Sequence, residues 1–240
     1  MKLKKHPFLL FSMTIFVICM VAILVHHEVD ISLTENDKLF VPKYLSGIDP
    51  LPENPTYEEE LHFIISVQTS VFKIAPGITT PLQFSRSREP ADLYQEKTGL
   101  CYDKSRTIEK ILRYSGFEVR HFAMYAKDKS GSTIKTLISP GISSHSVTEV
   151  LTTRGWLVVD SYLPNHIESW VSIDAKGNPL SIRKIQKGSS DIKWGSKPPA
   201  DIYINPFVLV YGLYSRHGMF YPPYNVIPDI NYSEFVDNMI

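Results

Sequence analysis

Residues 99–120 read GLCYDKSRTIEKILRYSGFEVR, and residues 145–161 read HSVTEVLTTRGWLVVDS. In the first stretch Cys101, Ser105, Ile108 and Leu112 recur on one helical face, which predicts a helix from Leu100 to Ser115. Gly116 suits the position just past its end, and Arg113 puts a cation in the last turn. Cys101 therefore opens a helix with its side chain turned toward the body of the protein. Unpaired N–H groups and a partial positive charge at such a terminus favour a thiolate. In the second stretch period-two alternation predicts strands over His145 to Leu151 and Trp156 to Asp160, joined by Thr152-Thr153-Arg154-Gly155. A two- or four-residue loop pairs odd with even positions, which sets His145 and Asp160 on one face. A three-residue loop without a bulge would separate them.

The chain order is thus Cys at a helix start, His on a strand, Asp on the adjoining strand. A thiolate attacks an acyl carbon, an imidazole accepts and returns the proton, and a carboxylate fixes the imidazole tautomer. Backbone N–H groups at the helix start are suited to the oxyanion that forms. Phe117 to Tyr125 is strand-like and Lys127 to Gly131 is a polar turn. Upstream, Leu61, Ile64, Ile65, Val67, Val71 and Phe72 recur at helical spacing over Tyr57 to Ile74, after the acidic Glu58, Glu59 and Glu60. Glu89 to Asp92 opens a short helix leading to Gly99.

At the N-terminus, Phe8 to Val25 (FLLFSMTIFVICMVAILV) carries no charge and no proline, while Lys2, Lys4 and Lys5 precede it. A helix of that length nearly crosses a hydrocarbon core of about 30 Å. The lysines keep the N-terminus in the cytoplasm and send the rest outward. The absence of a small-residue cleavage site favours a retained anchor over a signal peptide. Asp30 to Pro55 reads as a tether leading off the membrane. Cys19 lies inside the expected span and cannot meet Cys101, so a disulfide framework is excluded. A lone extracytoplasmic Cys101 is better explained by chemistry than by packing.

Lys plus Arg and Asp plus Glu both number 25, which leaves no basic excess of the kind that nucleic-acid binding needs. Neither Cys-x-x-Cys nor His-x-x-x-His occurs, so neither a metal site nor a cofactor is expected. The C-terminal stretch YINPFVLVYGLYSRHGMFYPPYNVIPDI, residues 203–230, is rich in aromatic rings. Such rings line a substrate groove or cover an outer face of the domain. The expected layout is a cytoplasmic stub and anchor over 1–27, a tether over 28–55, the main domain over 56–197 and an aromatic extension over 198–240. The fold expected is α+β: a helix bearing the nucleophile, packed on an antiparallel sheet.

The two quoted stretches resemble the transglutaminase-like branch of the papain-type cysteine enzymes, and the whole looks like a bacterial membrane-anchored form. The resemblance covers about Ala91 to Leu163. It matches Cys101 to the family's nucleophile, His145 to its base and Asp160 to its orienting acid. Gly99, Gly116, Glu149, Gly155 and Trp156 match the surrounding pattern. The family often carries an aromatic residue two places after the His, here Val147, and a proline after the Asp, here Ser161; the first change alters the wall of the acyl site. Gln95, Gln68 and Tyr94 are open candidates for a side-chain oxyanion donor. His166 reads as an exposed loop residue and His121 as a structural one. The resemblance implies cysteine-dependent hydrolysis or acyl transfer at amide bonds, through a thioester, on a peptide, protein or envelope polymer outside the cytoplasm. Two rivals stand beside it. One is arylamine N-acetyltransferase chemistry, whose Arg-Gly-Gly approach to the Cys is absent. The other is a non-catalytic module for binding or assembly in envelope polysaccharide or protein export.

Overall fold

Two Thr-x-x-acid signals set the N-terminal half. Thr56 Oγ1 accepts the Glu59 N–H at 3.3 Å while the Glu59 carboxylate accepts the Thr56 N–H at 2.8 Å. Thr34 and Asp37 form the same reciprocal cap. The computed structural model describes residues 7–76, 87–127, 131–162, 169–188, 191–194, 200–214 and 229–238, with side chains from Phe11 onward. In chain order the helices are α1 (Pro7–His27), α2 (Glu35–Tyr44), α3 (Tyr57–Ile74), α4 (Pro90–Glu96), α5 (Cys101–Tyr114), α6 (Thr133–Ile138), α7 (Ile182–Gln186) and α8 (Tyr232–Asp237). The strands are β1 (Val119–Ala126), β2 (Ser144–Thr152), β3 (Gly155–Val159), β4 (Phe207–Tyr211), β5 (Leu213–Tyr214) and β6 (Asp229–Ile230). A 3₁₀ turn spans Asp201–Ile204. The fold is α+β.

The main sheet is antiparallel in the order β3-β2-β1-β4, so a strand from beyond residue 198 completes it beside β1. Both faces are buried. Val119, Val150, Leu157 and Val159 pack against Ile64, Val67 and Val71 of α3 and Ile108, Ile111 and Leu112 of α5. On the other face Phe122, Met124, Val147 and Val158 meet Trp170, Leu180, Ile182 and Tyr203. The alternation that predicts the strands thus sorts residues between two cores, not between core and water. The hairpin pairs Leu151 with Trp156 and Thr152 with Gly155, leaving a two-residue turn at Thr153-Arg154. Gly155 has φ +120°, a conformation that L side chains rarely adopt.

Residues 102–112 of α5 are all buried, charged ones included. Arg106 binds Glu109 at 3.2 Å and Glu89 at 3.1 Å; Lys110 binds Asp37 at 2.9 Å; Arg88 binds Asp103 at 3.1 Å. Arg113 reaches Glu109 at 3.3 Å and Glu234 at 3.7 Å. One of these pairs draws on the stretch expected as a tether. Residues 28–55 include α2, whose Asp37, Phe40, Val41 and Tyr44 are buried. The Lys110 ammonium also donates to the Ser32 carbonyl.

The expected transmembrane helix is not found: among the described residues, no helix is long and apolar enough to cross a membrane. The apolar side chains described in α1 run from Phe11 to Val25 and are exposed. The lysines that orient the expected span lie outside the described residues, as do His166 and residues 215–228 of the aromatic extension.

Replacing Glu109 by Gln keeps the shape and leaves Arg106 and Arg113 each short of a buried partner. We expect a loss of about 3 kcal/mol in urea unfolding. A loss below about 1 kcal/mol would mean that the pairing contributes little.

Candidate active site

Gly99 explains how Cys101 is placed. A Cβ there would lie 2.5 Å from Leu93 Cδ1 and 2.9 Å from Asp103 Cβ, so only glycine lets the chain pass α4 into α5. Asp103 Oδ2 then accepts the Leu100 N–H at 2.9 Å and fixes the entry to the helix. Cys101 is the first residue of α5 and partly exposed. One turn later Ser105 Oγ meets His121 Nδ1 at 3.2 Å and Thr148 Oγ1 at 2.9 Å, which fastens α5 to β1 and β2. Burial pushes His121 down to about 4, and it works as a neutral structural link. Lys104, also one turn from Cys101, is held down to about 8 by burial, against the pull of Cys101 and Asp103.

His145 stands near the start of β2 and Asp160 just past β3, on the face that the hairpin register shares. His145 Nε2 meets Asp160 Oδ2 at 2.8 Å. Cys101 lies close enough to the imidazole to favour its charged form. Burial works against charge on His145, but the Asp160 carboxylate, the bond to it and Cys101 outweigh it and raise the imidazole to about 10. His145 is therefore imidazolium at neutral pH. The three expected residues come together.

Asp160 is fully buried and held from several sides. Oδ1 accepts the Tyr162 N–H at 2.6 Å, and Oδ2 accepts the Tyr203 O–H at 2.6 Å besides His145. Gln68 Nε2 donates to the carbonyls of Asp160 at 2.7 Å and Trp170 at 2.8 Å. Gln68 thus clamps backbone and is spent as an oxyanion donor. Gln95 is exposed on α4, and the Tyr94 ring packs between Phe40 and Tyr44. None of the three candidates is brought to Cys101, which leaves the helix-start N–H groups for that role. Val147 lies in the core beside Trp170, so the missing aromatic changes packing and not the acyl wall. Ser161 donates to the Ser146 carbonyl and closes the hairpin where a proline was expected. Glu149 is buried and structural, bound to Arg120 at 2.7 Å and to the Ile182 N–H at 2.6 Å; burial raises its pKa. Among the described residues no group of three His, Cys, Asp or Glu is placed to hold a metal ion.

Residues 54–161 match the family model described as the transglutaminase-like superfamily. That segment is similar to transglutaminase-like domains. No curated protein and no solved structure matches the chain. The transglutaminase-like match runs from the cap of α3 to the residue after Asp160, and so contains Cys101, His145 and Asp160. It stops short of Tyr203. Sequence reading missed Tyr203 for want of any spacing that ties it to Asp160. Gln68 carried a signal: an amide among Ile64, Val67 and Val71 on a buried helix face demands partners.

A histidine whose folded pKa lies above its unfolded value of about 6.5 stabilises the fold fully below that value. The contribution is lost as pH rises through about 10. We therefore expect the stability difference between wild type and His145→Gln to shrink from pH 6.5 to 10 in urea titrations. A constant difference would mean that the imidazole is neutral in the folded protein.

Proposed function

We propose that this chain is a cysteine-dependent enzyme of the transglutaminase-like kind, acting on amide bonds through a thioester. The observation that carries the reading is the His145–Asp160 hydrogen bond at 2.8 Å, with Cys101 near the imidazole at the start of α5. In the proposed reaction the Cys101 thiolate adds to the amide carbon, and the N–H groups opening α5 receive the oxyanion. The tetrahedral intermediate collapses, the C–N bond breaks and His145 gives its proton to the leaving amine. Water or a second amine then attacks the thioester, losing a proton to His145 as the C–S bond breaks. Water yields a carboxylic acid; an amine yields a new amide. Asp160 stays ionised throughout and holds the imidazole in place.

Attachment to a membrane through α1 belongs to the same proposal, supported by the exposed apolar side chains from Phe11 to Val25. The lysines at positions 2, 4 and 5 favour the domain on the extracytoplasmic side, facing a peptide, protein or envelope polymer. Sedimentation of the full chain with membranes after a carbonate wash checks the attachment, and protease digestion of sealed vesicles checks the side. Release into the wash would overturn the first point.

The chemistry is tested with iodoacetamide over a range of pH and with an acylating activity-based electrophile. Wild-type Cys101 should alkylate faster than free cysteine under the same conditions. Cys101→Ser and His145→Ala should each abolish acylation, and Asp160→Asn should slow it by about ten-thousandfold, the cost of the corresponding change in a serine protease. The losses should not add, because the three groups act as a unit. An inert Cys101 in folded wild type would instead favour a binding or assembly module. Equal acylation in wild type and His145→Ala would remove His145 from the mechanism.

A further inference from the structure

We propose that Tyr203 is a positioning residue for the His145–Asp160 pair, sharing the carboxylate oxygen that orients the imidazole; this rests on the catalytic reading above. Asp160 Oδ2 receives two donors, His145 Nε2 at 2.8 Å and the Tyr203 hydroxyl at 2.6 Å. Oδ1 is occupied by the Tyr162 N–H at 2.6 Å. Rotation of the carboxylate would break all three bonds. Tyr203 is 4% exposed, and its ring meets the His145 ring edge-on at 6.0 Å and packs on Trp170 at 5.2 Å and Trp194 at 5.8 Å. Its place in the 3₁₀ turn Asp201–Ile204, just ahead of β4, ties the site to the strand that completes the sheet.

Two donors on one oxygen divide its charge. The phenol therefore tempers how strongly Asp160 holds the Nε2 proton, and with it how readily the imidazolium can give up a proton at its other nitrogen. Burial, then Asp160, raises the phenol well above its ordinary range, so it remains a donor at any working pH. Among the described residues, the titratable groups around the His145 ring are Cys101, Asp160, Tyr162 and Tyr203. Of these only Tyr203 competes with His145 for Oδ2 through a side chain.

The test is proton NMR on the full chain at pH 7, reading the low-field Nε2–H signal of His145, assigned by its loss in His145→Gln. In Tyr203→Phe the signal should move downfield, because the imidazolium then has the oxygen to itself. In Asp160→Asn the same second substitution should leave His145 unmoved. Incorporation of 3,5-difluorotyrosine at position 203 supplies a stronger donor of nearly the same shape, and should move the signal upfield. A ring that only fills space would not give shifts of opposite sign. An unchanged signal in both Tyr203→Phe and the fluorinated protein, each folded by circular dichroism, overturns the proposal. If Tyr203→Phe fails to fold, the fluorinated protein decides alone. Iodoacetamide reactivity of wild-type Cys101, measured separately, reports on the catalytic reading and not on the shift.

Discussion

Burying the charged side of α5 is the constraint from which the rest of this structure follows. Asp103, Arg106, Glu109 and Lys110 would lie against water in an ordinary amphipathic helix, yet each is nearly inaccessible here. A buried charge without a partner is costly enough to undo a small domain, so each must find an opposite one nearby. Within α5 itself Glu109 pairs with Arg106 and Arg113. The remaining demand is met from outside: Asp37 on α2, Arg88 and Glu89 ahead of α4, Glu234 on α8. Segments far apart in sequence are thereby drawn around the helix that carries Cys101. The helix start is left open, which is where the thiol stands.

The same constraint explains which parts of the molecule the sequence makes legible. α3 and the β2–β3 hairpin follow from local rules: a reciprocal threonine cap, apolar spacing, a glycine with positive φ in the turn. The pairing of His145 with Asp160 follows from loop parity alone, and the distance agrees. What could not be read were partners set by distance in space. Asp37 and Lys38 look alike as surface charges in a polar stretch, but one is buried against Lys110 and the other is exposed. The residues after 198 looked like a covering and proved to supply β4 and the second donor to Asp160. No periodicity encodes a contact between residues 43 apart.

The His145–Asp160 pair shows a second use of the same physics. Burial alone would strip His145 of its charge; a buried carboxylate, fixed by donors on both oxygens, restores it. The result is a cation kept near a thiol. His121, buried between two serine hydroxyls, meets the Glu109 carboxylate only at 4.0 Å from its ring, and burial pushes it the other way. Two histidines of equal burial thus take opposite charge states because of one neighbour.

α1 ends at His27, and the chain is gripped at once: His27 meets Asp229 at 3.1 Å, the Val29 N–H bonds the Ile230 carbonyl at 3.0 Å, and Arg106 donates to the Asp30 carbonyl at 2.9 Å. The connection is a stalk and not a leash. A slack linker lets a domain sweep a volume, and its range grows with the square root of its length. A stalk permits no such search. Under the proposed attachment, whatever holds α1 sets the height and the heading of the thiol through these bonds to Asp229, Ile230 and Arg106.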